Sequence, residues 1–231
     1  MAKYEYTMGK EIDMAAEEKK VLEKGYMKAN LLLHAMYTMM DILYGKDITM
    51  QKLIIVEVLA RYPYWAWENA AYLKLSKEYA KSSFPTNEET ERQLHLIEVG
   101  RHSQDNEQWH LLIIKDLLRQ RNIRQSWMHE VFLPRFFAFG YYYMTRWLYA
   151  FKPAWAFSLN ARFESHAEYE YMRLASKHPE WENEPVESEY FKYYPKPKCL
   201  RDLFRRIALD ERDHMHESME EYEKVTGREL V

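Results

Sequence analysis

The sequence predicts an all-α fold, a single bundle of long helices that occupies residues 1–231. Only six glycines and eight prolines interrupt the chain, whereas a sheet protein needs many turns. Apolar residues recur every three or four positions over long stretches, which is the period of an amphipathic helix. Hydrophobic residues make up 47% of the chain and charged residues 30%, which suits one core with a solvated surface.

The first half of the chain is predicted to form three helices. An N-terminal helix of unassigned role lies within residues 1–46; it spans 11–43 and ends near Gly45. A second helix spans about 49–81. Thr86 and Asn87, followed by two glutamates, are typical of a helix cap and open a third helix that runs to about Arg121.

The second half is predicted to form three more helices. The fourth spans 126–151, is rich in aromatic residues and is interrupted near Pro134. The fifth spans 154–177. Residues 178–199 contain four prolines among acids and tyrosines, which indicates an irregular connection inside the domain. The sixth begins at Leu200 and ends before Gly227.

Charge and cysteine content narrow the possible functions. The formal charge is -3 and no basic stripe is present, so nucleic acid is not an expected partner. Cys199 is the one cysteine and forms no internal disulfide. The N-terminus has neither the apolar core of a signal peptide nor the Arg- and Ser-rich character of a transit peptide.

The aromatic residues of 131–163 raise the question of a membrane. Arg135, Arg146, Lys152 and Pro153 interrupt the apolar runs, so no stretch reaches the roughly 18 to 20 residues that a spanning helix needs. Two interpretations remain. The segment either lies on a membrane surface, with its aromatic and basic side chains at the headgroups, or forms a buried aromatic core.

The motif Glu-x-x-His occurs twice, at Glu107–His110 and at Glu211–His214. Residues three apart share a helix face, so each pair can offer a carboxylate and an imidazole to one ion. A single such pair is explained equally well by a solvated helix face. Two motifs joined by one glutamate from each of two other helices are, however, the ligand pattern of di-metal carboxylate bundles.

Glu57 and Glu164 supply the two further glutamates. Glu57 lies in the apolar run from Leu53 to Ala60, where a carboxylate faces a heavy desolvation cost unless it is paired or metal-bound. Carboxylates with a few imidazoles suit iron or manganese, and the lack of cysteine ligands argues against zinc-thiolate or iron–sulfur sites. The sequence therefore predicts a two-metal site with six protein ligands.

Four stretches of sequence surround these residues: Val56-Glu-Val-Leu-Ala-Arg-Tyr-Pro-Tyr64, Asn106-Glu-Gln-Trp-His-Leu-Leu112, Phe163-Glu-Ser-His-Ala167 and Asp210-Glu-Arg-Asp-His214. In order and spacing, over about 52–219, they resemble the alternative oxidase family and its plastid terminal oxidase branch. The resemblance implies a ferritin-like four-helix bundle with a di-iron centre and additional helices, monotopic on a membrane and homodimeric. It implies an enzyme that oxidises quinol and reduces dioxygen to water without pumping protons.

The resemblance also implies roles for individual residues. Tyr171, seven residues after Glu164, is expected to be a redox-active tyrosine near the metals. Asn106 and Asp210 each precede a ligand glutamate and are expected to orient the ligands. Arg61 is expected near the quinone pocket. The implied ligands of the two iron ions are Glu57, Glu107, His110, Glu164, Glu211 and His214.

Smaller features favour the plastid branch. Glu-Ser-His-Ala and Ala-Arg-x-Pro-Tyr resemble it, so plastoquinol is favoured over ubiquinol, and a thylakoid or bacterial cytoplasmic membrane over the mitochondrial inner membrane. His166 and His216 lie two residues beyond a ligand, which turns them away from the metals. Trp109 and Arg212, inside the two motifs, depart from the family pattern and affect the shape of the pocket more than metal binding.

Two other functions share parts of this pattern. A di-iron hydroxylase of quinone biosynthesis has the same ligand order but leaves an oxygenated product. A ferritin-type iron-binding bundle is soluble, forms a large shell and does not need the aromatic segment.

Overall fold

A computed structural model describes residues 4–80 and 86–230. Those residues contain α-helices, a short π-helical turn and two 3₁₀ turns, and no strand. The all-α prediction is confirmed. The helices are α1 Met14–Lys24, α2 Leu31–Tyr44, α3 Met50–Ala80, α4 Asn87–Gln120, α5 Leu133–Phe151, α6 Pro153–Lys177 and α7 Leu200–Thr226.

The prediction of one N-terminal helix over 11–43 is wrong, because the chain breaks between α1 and α2. Gly25, at φ +73°, ends α1 and donates its N–H to the carbonyl of Val21. The side chain of Asn30 then accepts from the N–H of Leu33 and caps α2. Glycine adopts positive φ without a steric penalty and asparagine is a favoured N-cap, so these two residues fix the break.

Two helix pairs build the bundle. α3 packs along α4, and α6 packs along α7, so the two halves of the chain each contribute a long helical hairpin. α5 lies across α3 and α6 and supplies buried residues such as Ala138 and Tyr141 to the core formed with α2 and α3. The fourth predicted helix differs at its start, since a π-helical turn, Met128–Phe132, precedes α5 and Pro134 falls in the first turn of α5.

Within the first helix pair, α4 approaches α3 closely at Gly100. A Cβ placed on Gly100 of α4 would lie 3.1 Å from the backbone oxygen of Tyr64 and 3.2 Å from Cβ of Glu68, both on α3. Only glycine permits this spacing without displacement of α3. The close contact fixes the height of Tyr64 relative to α4.

The segments outside the bundle are held by polar contacts. Asp213 of α7 accepts hydrogen bonds from the backbone N–H groups of Thr7 and Met8 and from the Thr7 hydroxyl. The connection between α6 and α7 consists of two 3₁₀ turns, Pro179–Asn183 and Glu189–Lys192. Ser188 donates to Asp116 at 2.9 Å and so ties this connection to α4.

Candidate metal centre

The structure brings all six predicted ligands together in the middle of the bundle. They come from four helices: Glu57 from α3, Glu107 and His110 from α4, Glu164 from α6, and Glu211 and His214 from α7. Each is at most 1% exposed. Six titratable side chains without solvent are costly to bury unless they are paired or hold metal ions.

The six residues form two overlapping groups. In the first, ligand atoms of Glu57, Glu107, His110 and Glu211 all lie within 4.8 Å of one another. In the second, the same holds for Glu107, Glu164, Glu211 and His214. Glu107 and Glu211 belong to both groups, so their carboxylates stand between two adjacent ion positions. Each position then has one terminal glutamate and one histidine of its own.

Most of the metal-binding atoms of this cluster lack hydrogen-bond partners. Both oxygens of Glu107 and of Glu211, and Oε2 of Glu57 and of Glu164, are buried and unpartnered. Nδ1 of His110 and of His214 are unpartnered as well. Some of these atoms are close, such as Nδ1 of His214 and Oε1 of Glu107 at 2.8 Å, but they are not aligned as hydrogen bonds. Such convergent free lone pairs fit metal ions.

The four carboxylates of the cluster need positive charge close by. Burial, and next the charge of Glu107, raise the pKa of Glu57 well above its ordinary value. The same two causes raise the pKa of Glu164. Four carboxylates cannot all ionise in so small a dry volume without cations. Two divalent ions would carry the positive charge that balances the four carboxylates while both histidines stay neutral.

His110 is held from behind by Asp210. Its Nδ1 faces the cluster, 3.3 Å from Oε2 of Glu57, while its Nε2 lies 3.2 Å from Oδ2 of Asp210. Tyr194 donates to the same carboxylate at 2.5 Å, and Nε of Arg206 donates to it at 3.0 Å. Burial opposes ionisation of Asp210, but these contacts with His110 and Arg206 lower its pKa below the ordinary value. A charged Asp210 fixes the imidazole with Nδ1 directed at the ions.

Two buried tyrosines contact the terminal glutamates. Tyr171 of α6 donates its hydroxyl to Oε1 of Glu57. Tyr64 of α3 donates to Oε1 of Glu164 at 2.8 Å. Both side chains are fully buried. Burial, and next the charge of the contacted glutamate, raise both tyrosine pKa values well above 10. Both tyrosines are therefore protonated at neutral pH.

Sequence reasoning found Tyr171 but missed Tyr64 and its neighbour Asn160. Nδ2 of Asn160 donates to the Tyr64 hydroxyl at 2.9 Å, to Oε1 of Glu164 at 3.0 Å and to the Ser218 hydroxyl at 3.0 Å. One signal was present in the sequence, since Tyr64 follows Glu57 by seven residues just as Tyr171 follows Glu164.

Comparison with known proteins decides the family. A sequence model described as alternative oxidase matches residues 10–220, nearly the whole chain. The chain belongs to the alternative oxidase family. This family consists of di-iron helical bundles, and the buried glutamates and histidines of the present bundle fit that type of centre. The resemblance inferred from the four motifs is confirmed at this level.

One curated relative is "Ubiquinol oxidase 4, chloroplastic/chromoplastic" of Arabidopsis thaliana. It is 28% identical over 218 residues, which cover 79% of this chain and 54% of the relative. The chain thus spans about half the length of that relative. No solved structure matches the chain.

The remaining predicted site residues of this oxidase-family chain lie in different surroundings. Asn106 is partly buried, and its Oδ1 has no hydrogen-bond partner. Arg61 points away from the cluster: its guanidinium contacts Oε1 of Gln108 and lines a surface pocket of about 270 Å³. His166 stacks on Tyr37 with ring centroids 3.9 Å apart, outside both ligand groups, as predicted for a residue two positions beyond a ligand.

Three more predictions concern residues beside the ligands. His216 stacks on Tyr4 at 4.9 Å and also lies outside both ligand groups. Trp109 stacks on Tyr193 at 4.4 Å in the connection before α7. Arg212 pairs with Glu168 at 2.6 Å. The two residues that depart from the family pattern therefore face away from the ions and leave the ligand groups intact.

A cavity of about 360 Å³ opens between α2, α3 and α6. Its lining includes Val56 and Phe163, which directly precede the ligands Glu57 and Glu164 in the sequence. The polar lining residues are Tyr37, Thr38, Asp41, Lys52, His166, Glu170 and Arg173, among others. Burial, and next the charge of Lys52, lower the pKa of His166 to about 4, so its imidazole is neutral at neutral pH. The cavity combines apolar walls with several hydrogen-bonding groups.

The aromatic segment has both a buried side and an exposed side, so it combines features of the two interpretations that the sequence left open. One side of α5 is core, where Ala138, Tyr141 and Thr145 are buried. The other side, with the end of the preceding π-helical turn, exposes a row of large apolar side chains, the aromatic face, which consists of Phe132, Phe136, Phe139, Tyr143, Trp147 and Phe151. Phe139 is 66% exposed and Phe151 73%. No helix in the described ranges is both long and apolar enough to cross a membrane.

Proposed function

We propose that this protein is a membrane-bound quinol oxidase with a di-iron centre, which couples quinol oxidation to the reduction of dioxygen to water. The observation that carries the proposal is the pair of overlapping ligand groups with unpartnered donor atoms, in a chain of the alternative oxidase family. As the resemblance to the family implies, the proposed reaction pumps no protons.

Two iron ions would be held by the six clustered residues. Glu57 and His110 would bind one ion, Glu164 and His214 the other, and Glu107 and Glu211 both. When bound, the iron pair supplies the redox chemistry for dioxygen reduction. The protein excludes water from the centre, since every ligand is buried, and fixes the donor atoms before the ions enter.

The neighbouring residues orient these ligands and hold protons. Asp210 fixes the tautomer of His110 through Nε2. By the repeat of the motif, Asn106 would do the same for His214, because Oδ1 of Asn106 and Nε2 of His214 are both buried and unpartnered. Tyr171 holds a proton at its hydroxyl, against Oε1 of Glu57, where it can be given up together with an electron.

We place the quinol in the cavity between α2, α3 and α6 rather than beside Arg61. This cavity adjoins the backbone on the N-terminal side of Glu57 and Glu164, whereas the pocket of Arg61 opens between α3 and α4. Neutral His166 and the carboxylate of Glu170 can bind the quinol hydroxyl groups and accept their protons. Plastoquinol is the favoured substrate, with ubiquinol as the alternative.

The aromatic face is proposed to lie in the headgroup region of one leaflet. Aromatic side chains on one side of a helix gain free energy at the interface without spanning the bilayer. Leu31, 87% exposed at the start of α2, lines a separate cavity with Leu148 and Trp155 and extends the apolar surface beside α5. We propose a monotopic homodimer on a thylakoid or bacterial cytoplasmic membrane; a mitochondrial inner membrane is the alternative.

The test is metal analysis and oxygen uptake by the purified protein with plastoquinol and ubiquinol analogues. We expect two irons per chain, uptake that depends on quinol, and quinone as the product. Glu107→Ala and His214→Ala should lose iron and uptake. Glu98→Ala, an exposed glutamate on the same helix α4, is the matched control and should keep both.

Other outcomes point to the competing functions. An oxygenated quinone product identifies a hydroxylase. Iron uptake by a soluble assembly without quinol-dependent oxygen consumption identifies an iron-binding bundle. Full uptake by both Glu107→Ala and His214→Ala would refute the ligand assignment.

A further inference from the structure

Tyr64 sits at one end of the cluster in the way that Tyr171 sits at the other. Tyr171 is on α6 and contacts Glu57 of α3, whereas Tyr64 is on α3 and contacts Glu164 of α6. In both helices the tyrosine follows the glutamate by seven residues, about two turns. Each of the two helices therefore provides the tyrosine that contacts the glutamate of the other helix. As a result, the terminal glutamate of each ion position has one tyrosine as its hydrogen-bond partner.

The surroundings of Tyr64 favour loss of an electron coupled to loss of a proton. Its hydroxyl already donates to Oε1 of Glu164 at 2.8 Å, so a proton can move to that oxygen without rearrangement. Its own oxygen accepts a hydrogen bond from Nδ2 of Asn160 at 2.9 Å. The side chain is fully buried, which shields an oxidised ring from solvent.

We propose that Tyr64 is a second oxidisable tyrosine of the centre, which donates one electron and one proton in parallel with Tyr171. The proposal rests on the proposed oxidase function and assigns a further residue to that reaction. Tyr64 loses one electron to dioxygen at the centre and passes its hydroxyl proton to Glu164. It becomes a neutral phenoxyl radical, and Tyr171 does the same with Glu57.

The electrons and protons balance for one dioxygen and two quinols. Reduction of dioxygen to two waters takes four electrons and four protons. Two electrons and two protons come from the two tyrosines, the protons by way of Glu57 and Glu164, and two ferrous ions held by the six ligands would supply the other two electrons. One quinol then returns one hydrogen atom to each tyrosine, and a second quinol would return two electrons to the metal pair and supply the remaining two protons. Both quinols leave as quinone.

The test uses the iron-loaded full chain, reduced by dithionite, mixed with dioxygen in the absence of quinol and frozen for electron paramagnetic resonance. Ring deuteration of tyrosine identifies a tyrosyl radical, since the signal narrows. We expect the Tyr171→Phe protein to keep a tyrosyl radical and the Tyr64→Phe/Tyr171→Phe protein to lose it. Tyr141→Phe is the control, because the Tyr141 hydroxyl is buried without a hydrogen-bond partner.

Iron is counted in each variant, so loss of metal is distinguished from loss of the radical. If the Tyr171→Phe protein loses its iron, high-field electron paramagnetic resonance spectra of the unsubstituted protein provide the test instead. In those spectra we expect the Tyr64 radical to give a component separate from that of Tyr171, because only Tyr64 accepts a hydrogen bond from Asn160. We expect Asn160→Leu to shift that component. The proposal is overturned if the spectrum has a single tyrosyl component that Asn160→Leu does not shift. It is also overturned if the Tyr171→Phe protein binds iron but forms no tyrosyl radical. Quinol-dependent oxygen uptake persists in that case if the oxidase function is correct.

Discussion

Removal of the negative charge of Asp210 tests how the protein prepares His110 for a metal. Asp210→Asn keeps the shape of the side chain and a hydrogen-bonding oxygen, but it turns a charge-assisted hydrogen bond to Nε2 of His110 into a neutral one. Charged hydrogen bonds contribute about 1.5 to 3 kcal/mol and neutral ones about 0.5 to 1.5 kcal/mol. The loss is therefore about 1 to 1.5 kcal/mol, or roughly tenfold in affinity.

Asp210→Ala removes the bond altogether, so we expect about 10- to 100-fold weaker iron binding, the range known for groups that support metal ligands. The assay is anaerobic titration with ferrous iron against a chelator of known affinity. Unfolding by urea is followed in parallel, because Arg206 and Tyr194 also lose a partner.

Asp213→Asn is the matched control. Asp213 lies on the same helix and is 2% exposed, but it accepts from Thr7 and Met8 rather than from a ligand. We expect this variant to have a lower free energy of unfolding and unchanged iron affinity. The reasoning fails if Asp210→Asn binds iron like the unsubstituted protein, or if Asp213→Asn loses as much affinity as Asp210→Asn.

Three further predictions concern the whole molecule. Ferrous iron at 100 times its dissociation constant should stabilise the fold by about 2.7 kcal/mol, seen as a higher melting temperature that a chelator reverses. Phe136→Ser/Phe139→Ser should weaken binding to liposomes by at least about tenfold, because each phenyl group contributes about 1.5 to 3 kcal/mol on burial; Leu94→Ser, exposed on α4, should not. Gly100→Ala should lower the free energy of unfolding by about 1 to 3 kcal/mol in a urea titration, since its Cβ meets the α3 backbone at Tyr64.

The ligand set could be predicted from the sequence because helical spacing places the glutamate and the histidine of each Glu-x-x-His motif on one face. Two such motifs with one glutamate from each of two other helices then match the known ligand pattern of di-metal bundles. The break at Gly25 and Asn30 was missed because apolar residues continue at helical period on both sides. At this point the two cap residues, rather than the hydrophobic period, determine where one helix ends and the next begins.

The spacing of residues within one helix does not predict which side chains of neighbouring helices come into contact. Arg61 lies four residues after Glu57, but one turn along α3 its side chain already meets Gln108 of α4. The partnership of Tyr64 with Glu164 depends on the relative height of α3 and α6. That height is set by packing, including the close contact at Gly100, and no periodicity within one helix encodes it.

The sharing of Glu107 and Glu211 has a consequence for assembly of the holoprotein. The first ion position draws on α3, α4 and α7, and the second on α4, α6 and α7. Neither helical hairpin contains a complete set: α3 and α4 supply three of the four ligands of the first position and one of the four ligands of the second. Both positions are complete only when the carboxyl-terminal hairpin has docked, so binding of two irons per chain reports that the two hairpins have come together.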